Sequence, residues 1–349
     1  EMSFLDDAVK ANQLKNEFDA LIEHAREALD RFEFETSRNF YEKALTLNPD
    51  DDMLLLELSD LLLQIDQPTR ASELLRRSIE INPKRGPSKF LYLAQLCEGQ
   101  ASLDLYLSGL QILKRDIDGN VASEELKKQF CSCCCALTEL YMTDLCFEKD
   151  AEMKIQNFLD EAMRYDVGDP DIHQAMASFK LSQNQPETAV KYAIESYHRL
   201  MKQKEENDFY LLDYESRLSL VKNLIELGHL NVSCYEFGAN VLIDLIYEND
   251  QDLETLLLAG DIFLKFVPPE FSTAKFYYKK AEKLAEKCKE RFSKSRGTDD
   301  FDEIMKGFEE QANFLKERFD FISKNYASSE ENESDGEYSE TSSNEMETD

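Results

Sequence analysis

Two short segments, Leu47-Asn48-Pro49 and Ile81-Asn82-Pro83, set their prolines 34 residues apart. Proline cannot continue a helix, so each segment reads as the stop that ends one. A 34-residue period holds two antiparallel helices of about a dozen residues each, joined by short turns. Such a pair cannot bury its apolar faces alone, and stacking on the next pair completes a core. The chain is therefore predicted to be all-α. Its scarcity of Gly (11) and Pro (8) in 349 residues fits long helices better than a turn-rich β fold.

The period resembles that of tetratricopeptide repeats, in which positions 4, 7, 8, 11, 20, 24 and 27 carry the packing and 8, 20 and 27 are small. Counting back from Pro49 gives Leu21, Ala25, Ala28, Ser37, Tyr41 and Ala44; from Pro83, Leu55, Leu58, Ser59, Leu62, Ala71, Leu75 and Ser78. The third unit, with Ala94 and then Ala101 and Tyr106, is about four residues short between its helices. The fourth pairs a cysteine-rich helix near 126–146 with one at about 150–165. The fifth has Ala177, Ala189, Ala193 and Ser196 at the small positions, and the sixth, around Val221 and Gly238, is degenerate. The seventh restores Gly260, Ala274, Tyr278 and Ala281. The expectation is an N-terminal extension or helix over 1–17, then a right-handed tetratricopeptide superhelix, an α-solenoid of seven pairs, over 18–292. A capping helix is expected over 300–325, and a disordered acidic, Ser-rich tail over 327–349. Ser328, Ser334 and Ser342 each precede an acid by three residues, which suits an acid-directed kinase.

Charge narrows the partners. With 71 acidic and 40 basic side chains the net charge is -31, so the surface repels nucleic acid and anionic lipid and attracts cations. Eight cysteines include five between 131 and 146, among them the CxxC formed by Cys131 and Cys134. No second CxxC answers it and the four histidines are scattered, so neither a metal nor a cofactor is expected, and small buried thiols in a reducing compartment are. The absence of an 18-residue apolar run or a leader implies a soluble, intracellular protein. A monomer is expected. Without a phosphate loop, nucleophile elbow or metal cluster, the reading is a binding scaffold rather than an enzyme.

In such arrays the first helix of each pair lines the inner side. Position 9 reads Arg26, Asp60, Gln95, Asp144, Ser178, Asn223 and Asp261, with Glu98, Glu226 and Glu254 at other inward positions. The predicted groove is polar and mainly acidic. A clamp for acidic chaperone tails needs Lys, Arg and Asn; Ile22, Arg26, Glu57, Asp60 and Ser88 stand there instead, which excludes that use. The candidate client contacts are Asp60, Glu98, Asp144, Glu226 and Asp261, with Gln95 as a reader of backbone amides.

One stretch is more specific than repeat packing requires. The run from Ala136 to Glu152, with Glu139-Leu140-Tyr141-Met142-Thr143-Asp144-Leu145-Cys146 and then Asp150-Ala151-Glu152, resembles the signature of the dedicated assembly chaperones of large-subunit ribosomal protein L-four. Lys89 to Leu96, the helix from Arg217 to Glu226 and the acidic tail resemble that family too, although Ala94 stands where the family often has Gly. The resemblance implies capture of a newly made, very basic ribosomal protein, above all its long internal loop. It further implies shielding of that client from aggregation and premature RNA contact, and escort from cytoplasm to nuclear pre-ribosomes, with an import factor as a further partner. Direct contact with nucleic acid or membrane is not expected. The competing readings are a tetratricopeptide adaptor in another complex and a histone-type acidic chaperone acting through its tail.

Overall fold

The computed structural model describes the backbone of residues 2–121, 123–165, 167–206, 213–293 and 301–336; side chains at 2–11, 120–121, 301–303 and 327–336 are outside the description. The chain divides into two compact units, Glu1–Ala175 and Met176–Asp349, the boundary falling inside one helix. Each unit is built of successive helix hairpins.

In the first unit the hairpins are α1 (Met2–Asp30) with α2 (Phe34–Leu47), α3 (Asp52–Gln64) with α4 (Pro68–Ile81), α5 (Pro87–Gln95) with α6 (Gly99–Asp116), and α7 (Glu124–Met142) with α8 (Ala151–Met163). A π-helical turn, Ile117–Val121, succeeds α6. α9 (Pro170–Ser182) carries the boundary and leads to α10 (Pro186–Glu206). The second unit continues with α11 (Tyr214–Leu227) and α12 (Ser233–Glu248), then α13 (Leu253–Phe263) and α14 (Phe271–Ser293), and ends in α15 (Phe301–Gly336). The expected extension over 1–17 is the start of α1 itself. α15 continues beyond the expected boundary at 327 to Gly336; residues 337–349 of the predicted tail lie outside the described residues.

The repeat positions explain the packing. Ala25, Tyr41, Ala44, Leu55, Leu58, Ser59, Ala71, Leu75 and Ser78 are all at or below 1% exposure, each where the 34-residue pattern places it. Small residues let the paired helices approach: Ser59 Oγ donates to the carbonyl of Leu55 at 2.6 Å, with Ala71 O at 3.5 Å across the hairpin. In the second unit Gly260 faces Tyr278 so closely that a Cβ there would collide with the ring.

Three hairpins share one turn. Phe32, Asp66 and Asn184 take φ values of 59°, 56° and 55°. The next amide in each case returns to the carbonyl five residues back: Glu33 N to Ala28 O at 2.9 Å, Gln67 N to Leu62 O at 2.8 Å and Gln185 N to Lys180 O at 2.9 Å. This left-handed closure caps the last carbonyls of the first helix.

The third hairpin has a different turn. Ser102, not the expected Ala101, is the small inward residue; its hydroxyl donates to Ala94 O at 2.9 Å while Ala101 is exposed. Ala94 and Ser102 are eight residues apart, whereas Ser59 and Ala71 are twelve. The missing four are close to one helical turn, so Tyr106 and Gly109 still face inward.

A buried ion pair joins the second hairpin to the third. Lys89, 1% exposed, places Nζ 2.9 Å from Asp52 Oδ1 and 3.0 Å from Ser78 O. Asp52 also accepts from Asn82 at 3.0 Å and, in a short hydrogen bond, from Ser78. Burial pushes the Asp52 carboxyl upward, but the bonds from Ser78, Lys89 and Asn82 together outweigh it and hold it below its ordinary range.

The cysteines of α7 are packing residues. Cys131 Sγ points to Ala162 O at 3.7 Å on α8, and Cys133 Sγ to Tyr106 O at 3.6 Å on α6. Burial pushes both thiols up to about 12, so they stay protonated. Among the described residues no group of three or more His, Cys, Asp or Glu is placed to hold a metal ion.

Candidate functional site: the first-helix wall

The residues read as inward-facing, the candidate client contacts among them, fall into two kinds. Some are already committed to the protein's own packing. Arg26 is bound to Glu57 of the next hairpin, Nε to Oε2 at 3.0 Å and Nη2 to Oε1 at 2.5 Å, and Tyr41 donates to the same carboxylate at 3.0 Å. Asn223 donates to Ser178 Oγ at 2.8 Å and is buried. Asp261 accepts from Tyr278 Oη at 2.6 Å and pairs with Arg318 of α15 at 2.9 Å. Glu254 pairs with Lys222 at 2.8 Å. These side chains tie one helix layer to the next, and a client would have to displace those ties.

Asp60 is different. It is half-buried on α3, and among the described residues its one hydrogen bond comes from the Gln64 amide at 3.1 Å. Burial raises its carboxyl above the ordinary range, and the Gln64 bond only partly opposes this. A carboxylate that its own protein solvates poorly gains from an incoming cation. Tyr92 on α5 stands nearby: burial raises its phenol, and the charges of Asp60 and of Glu125 on α7 raise it further. Three successive first helices thus bring Asp60, Tyr92 and Glu125 to one wall of the first unit.

The fourth hairpin corrects a register. Asp144 is not at position 9 of α7: the helix ends at Met142, and Thr143 takes φ -110° and ψ -88°. Cys131 opposite Ala162 corresponds to Asp52 opposite Ser78, which makes the buried Thr138 the position-8 residue and exposed Glu139 the position-9 residue. Asp144 sits in the inter-helix turn, where its Oδ2 accepts from Gly99 N at 3.1 Å. That bond brings it beside exposed Glu98, the extended N-cap of α6, in the turn that also adjoins Gln95 at the end of α5. Gln95, Glu98 and Asp144 therefore belong to one cluster of turns. At the tip of the Asp144 turn Phe147 is 98% exposed. The turn is held from behind by Lys154, bonded to Glu148 at 2.9 Å and to Tyr141 Oη at 3.0 Å.

In the second unit, Glu226 is exposed on α11 and its carbonyl contacts His229 Nδ1 at 2.7 Å. Glu139 and Glu125 were missed by the position count, because the thiol-rich helix permits several apolar registers. The opposition of Cys131 to Ala162 is what selects among them. The uncommitted acids, Glu98, Glu125, Glu139, Glu226 and half-buried Asp60, suit binding of cationic groups.

Stacked helix hairpins with small residues at their crossings, and an acidic first-helix face, define an α-solenoid of the tetratricopeptide type. No family model matches the chain. A curated protein of Schizosaccharomyces pombe, named "Probable assembly chaperone of rpl4", is 29% identical over 248 residues, 69% of this chain and 72% of that protein. A protein of the same name from Emericella nidulans is 29% identical over 177 residues, 50% of this chain but 43% of its own length. The solved structure of "Assembly Chaperone of RpL4 (Acl4)", residues 1–338, shares the fold with a TM-score of 0.62 at 23% identity, covering 70% of this chain and 95% of that one. The chain is thus similar in sequence to proteins named as assembly chaperones of ribosomal protein L-four, and it shares the tetratricopeptide-type fold of one of known structure.

Proposed function

We propose that this protein is a dedicated, non-enzymatic chaperone of newly made ribosomal protein L-four. It holds the client's long basic internal loop against the acidic first-helix wall, keeps it from aggregating or meeting RNA too early, and accompanies it from cytoplasm to nuclear pre-ribosomes. The observation that carries this reading is the match to the fission-yeast relative over 69% of the chain and 72% of that protein.

Physical chemistry supports it. A Lys- and Arg-rich loop made to contact rRNA remains unfolded until its charge is neutralised. Asp60, Glu98, Glu125 and Glu139 supply carboxylates of which Asp60 is poorly satisfied at home. rRNA, with its denser charge, would displace them at the assembly site.

The test is purification of the tagged chain from cells, then mass spectrometry and anisotropy binding of a labelled loop peptide from L-four. One dominant ribosomal protein is expected. Recovery of many subunits of a different machine, with no L-four, would favour the adaptor reading instead. If deletion of 327–349 alone abolished loop binding, the wall would not be the site.

A further inference from the structure

One helix runs against the charge of the whole chain. α14 carries seven basic residues, Lys275, Lys279, Lys280, Lys283, Lys287, Lys289 and Arg291, against three acids. Lys275, Lys279, Lys280, Lys283 and Lys287 are exposed, and among the described residues none makes an ion pair; Lys280 lies over the Phe276 ring at 4.9 Å. Spacing of four places Lys275, Lys279, Lys283 and Lys287 along one stripe, where neighbouring like charges repel one another, although Glu282, Glu286 and Glu290 each stand three residues after one of them. The stripe begins at an open cleft of about 570 Å³ whose lining includes Phe271, Lys275, Phe276, Lys279, Ile322 and Tyr326. Two lysines and two serines, Ser272 and Ser323, share it with four apolar or aromatic side chains.

We propose that the chain's own acidic end, residues 337–349, folds back along this stripe of α14. The charges are complementary. That segment holds Glu337, Glu340, Glu345, Glu347 and Asp349 with no base, and Met346 offers the cleft an apolar side chain. The connection is direct. α15 lies antiparallel on α14, with Phe292 against Phe308 at one end and Phe271 against Tyr326 at the other. The segment therefore departs from the cleft end of the stripe.

The length suffices. From Tyr326 to Gly336 the helix advances about 15 Å, and the return to Phe271 and along α14 to Lys287 adds about 24 Å. The 13 residues beyond Gly336 span about 43 Å when extended. Docked there, the segment neutralises the cations that would otherwise offer RNA a foothold on a protein whose proposed task is to keep RNA away.

The experiment uses a fluorescein-labelled synthetic peptide of residues 337–349, with the intact chain and a chain ending at Gly336. At low salt the truncated chain should bind the peptide and the intact chain should bind it at least about ten-fold more weakly, because the tethered copy competes at high effective concentration. Lys275→Glu with Lys279→Glu and Lys283→Glu should abolish binding to the truncated chain. Carbodiimide treatment of the intact chain should give intramolecular links from these lysines to Glu340, Glu345 or Glu347, lost at high salt. In a full-length chain with Glu337, Glu340, Glu345 and Glu347 all changed to Gln, the added peptide should bind as it does to the truncated chain. Equal binding to intact and truncated chains, no binding to either, or links only between molecules would overturn the proposal. So would a labelled single-stranded RNA that binds intact and truncated chains alike, which would assign the stripe to nucleic acid.

Discussion

The Lys89 ammonium lies 2.9 Å from Asp52 Oδ1 with its side chain 1% exposed, so a desolvated ion pair fastens the third hairpin to the second. Removing the cation leaves Asp52 with Ser78 and Asn82 as its donors among the described residues. Lys89→Met should destabilise the chain by roughly 3 kcal/mol. The double variant with Asp52→Asn should recover most of that, as read by urea unfolding. Because the folded Asp52 carboxyl is held below its ordinary range, its contribution is full above the unfolded pKa and is lost as pH falls through the folded value. Wild type and Lys89→Met should therefore converge in stability as the solution is acidified below about pH 4.

Asp60 has the opposite sign. Its folded carboxyl is raised by burial, so its contribution to stability is present below the unfolded pKa and is lost as pH rises through the folded value. Asp60→Asn should melt slightly higher than wild type at neutral pH, by well under about 1 kcal/mol given its partial exposure, and the gap should close in acid. The same variant should bind the basic loop peptide more weakly. A variant that loses stability and keeps affinity would remove Asp60 from the wall.

Charge reversal separates presentation from structure. Glu139→Lys should weaken loop binding several-fold at low salt and leave the melting temperature within about 1 °C, since the side chain is exposed. Asp144→Lys and Asp261→Lys should weaken binding and lower the melting temperature too. The first loses the Gly99 amide, and the second loses Tyr278 and Arg318. Anisotropy and thermal melts on the same three proteins check this.

Gly260→Ala introduces a Cβ against the Tyr278 ring, whose hydroxyl is fixed on Asp261. Overpacking of this kind costs about 1–3 kcal/mol. Ala at half-buried Gly307, where no atom lies within 4 Å of the added Cβ, should not reduce stability in the same chemical denaturation assay.

Much of this fold was legible because proline and small residues report backbone geometry directly. Pro49 and Pro83 give the period, and Ala25, Ser59, Ala71, Ala177 and Gly260 give the crossings. The register of α7 was not legible. Cysteine is apolar and small, so several alignments of the stretch from Cys131 to Cys135 fill an interior equally well, and Asp144 appeared to fall on the helix. Nor does a position count reveal which wall residues are spent on neighbouring layers, as Arg26 and Asp261 are. That depends on partners such as Glu57 and Arg318, 31 and 57 residues away.

The abbreviated third hairpin carries a wider lesson about how these stacks change over time. A loss of four residues rotates the remainder of the helix by only about 40° at 3.6 residues per turn, so the neighbouring layers keep their contacts while the rim drops by one turn. The vacated rim is where Asp144 reaches Gly99. Deletions in such steps can resculpt the edge of a solenoid without disturbing its interior, which leaves lineages free to alter what the edge touches while inheriting the same scaffold.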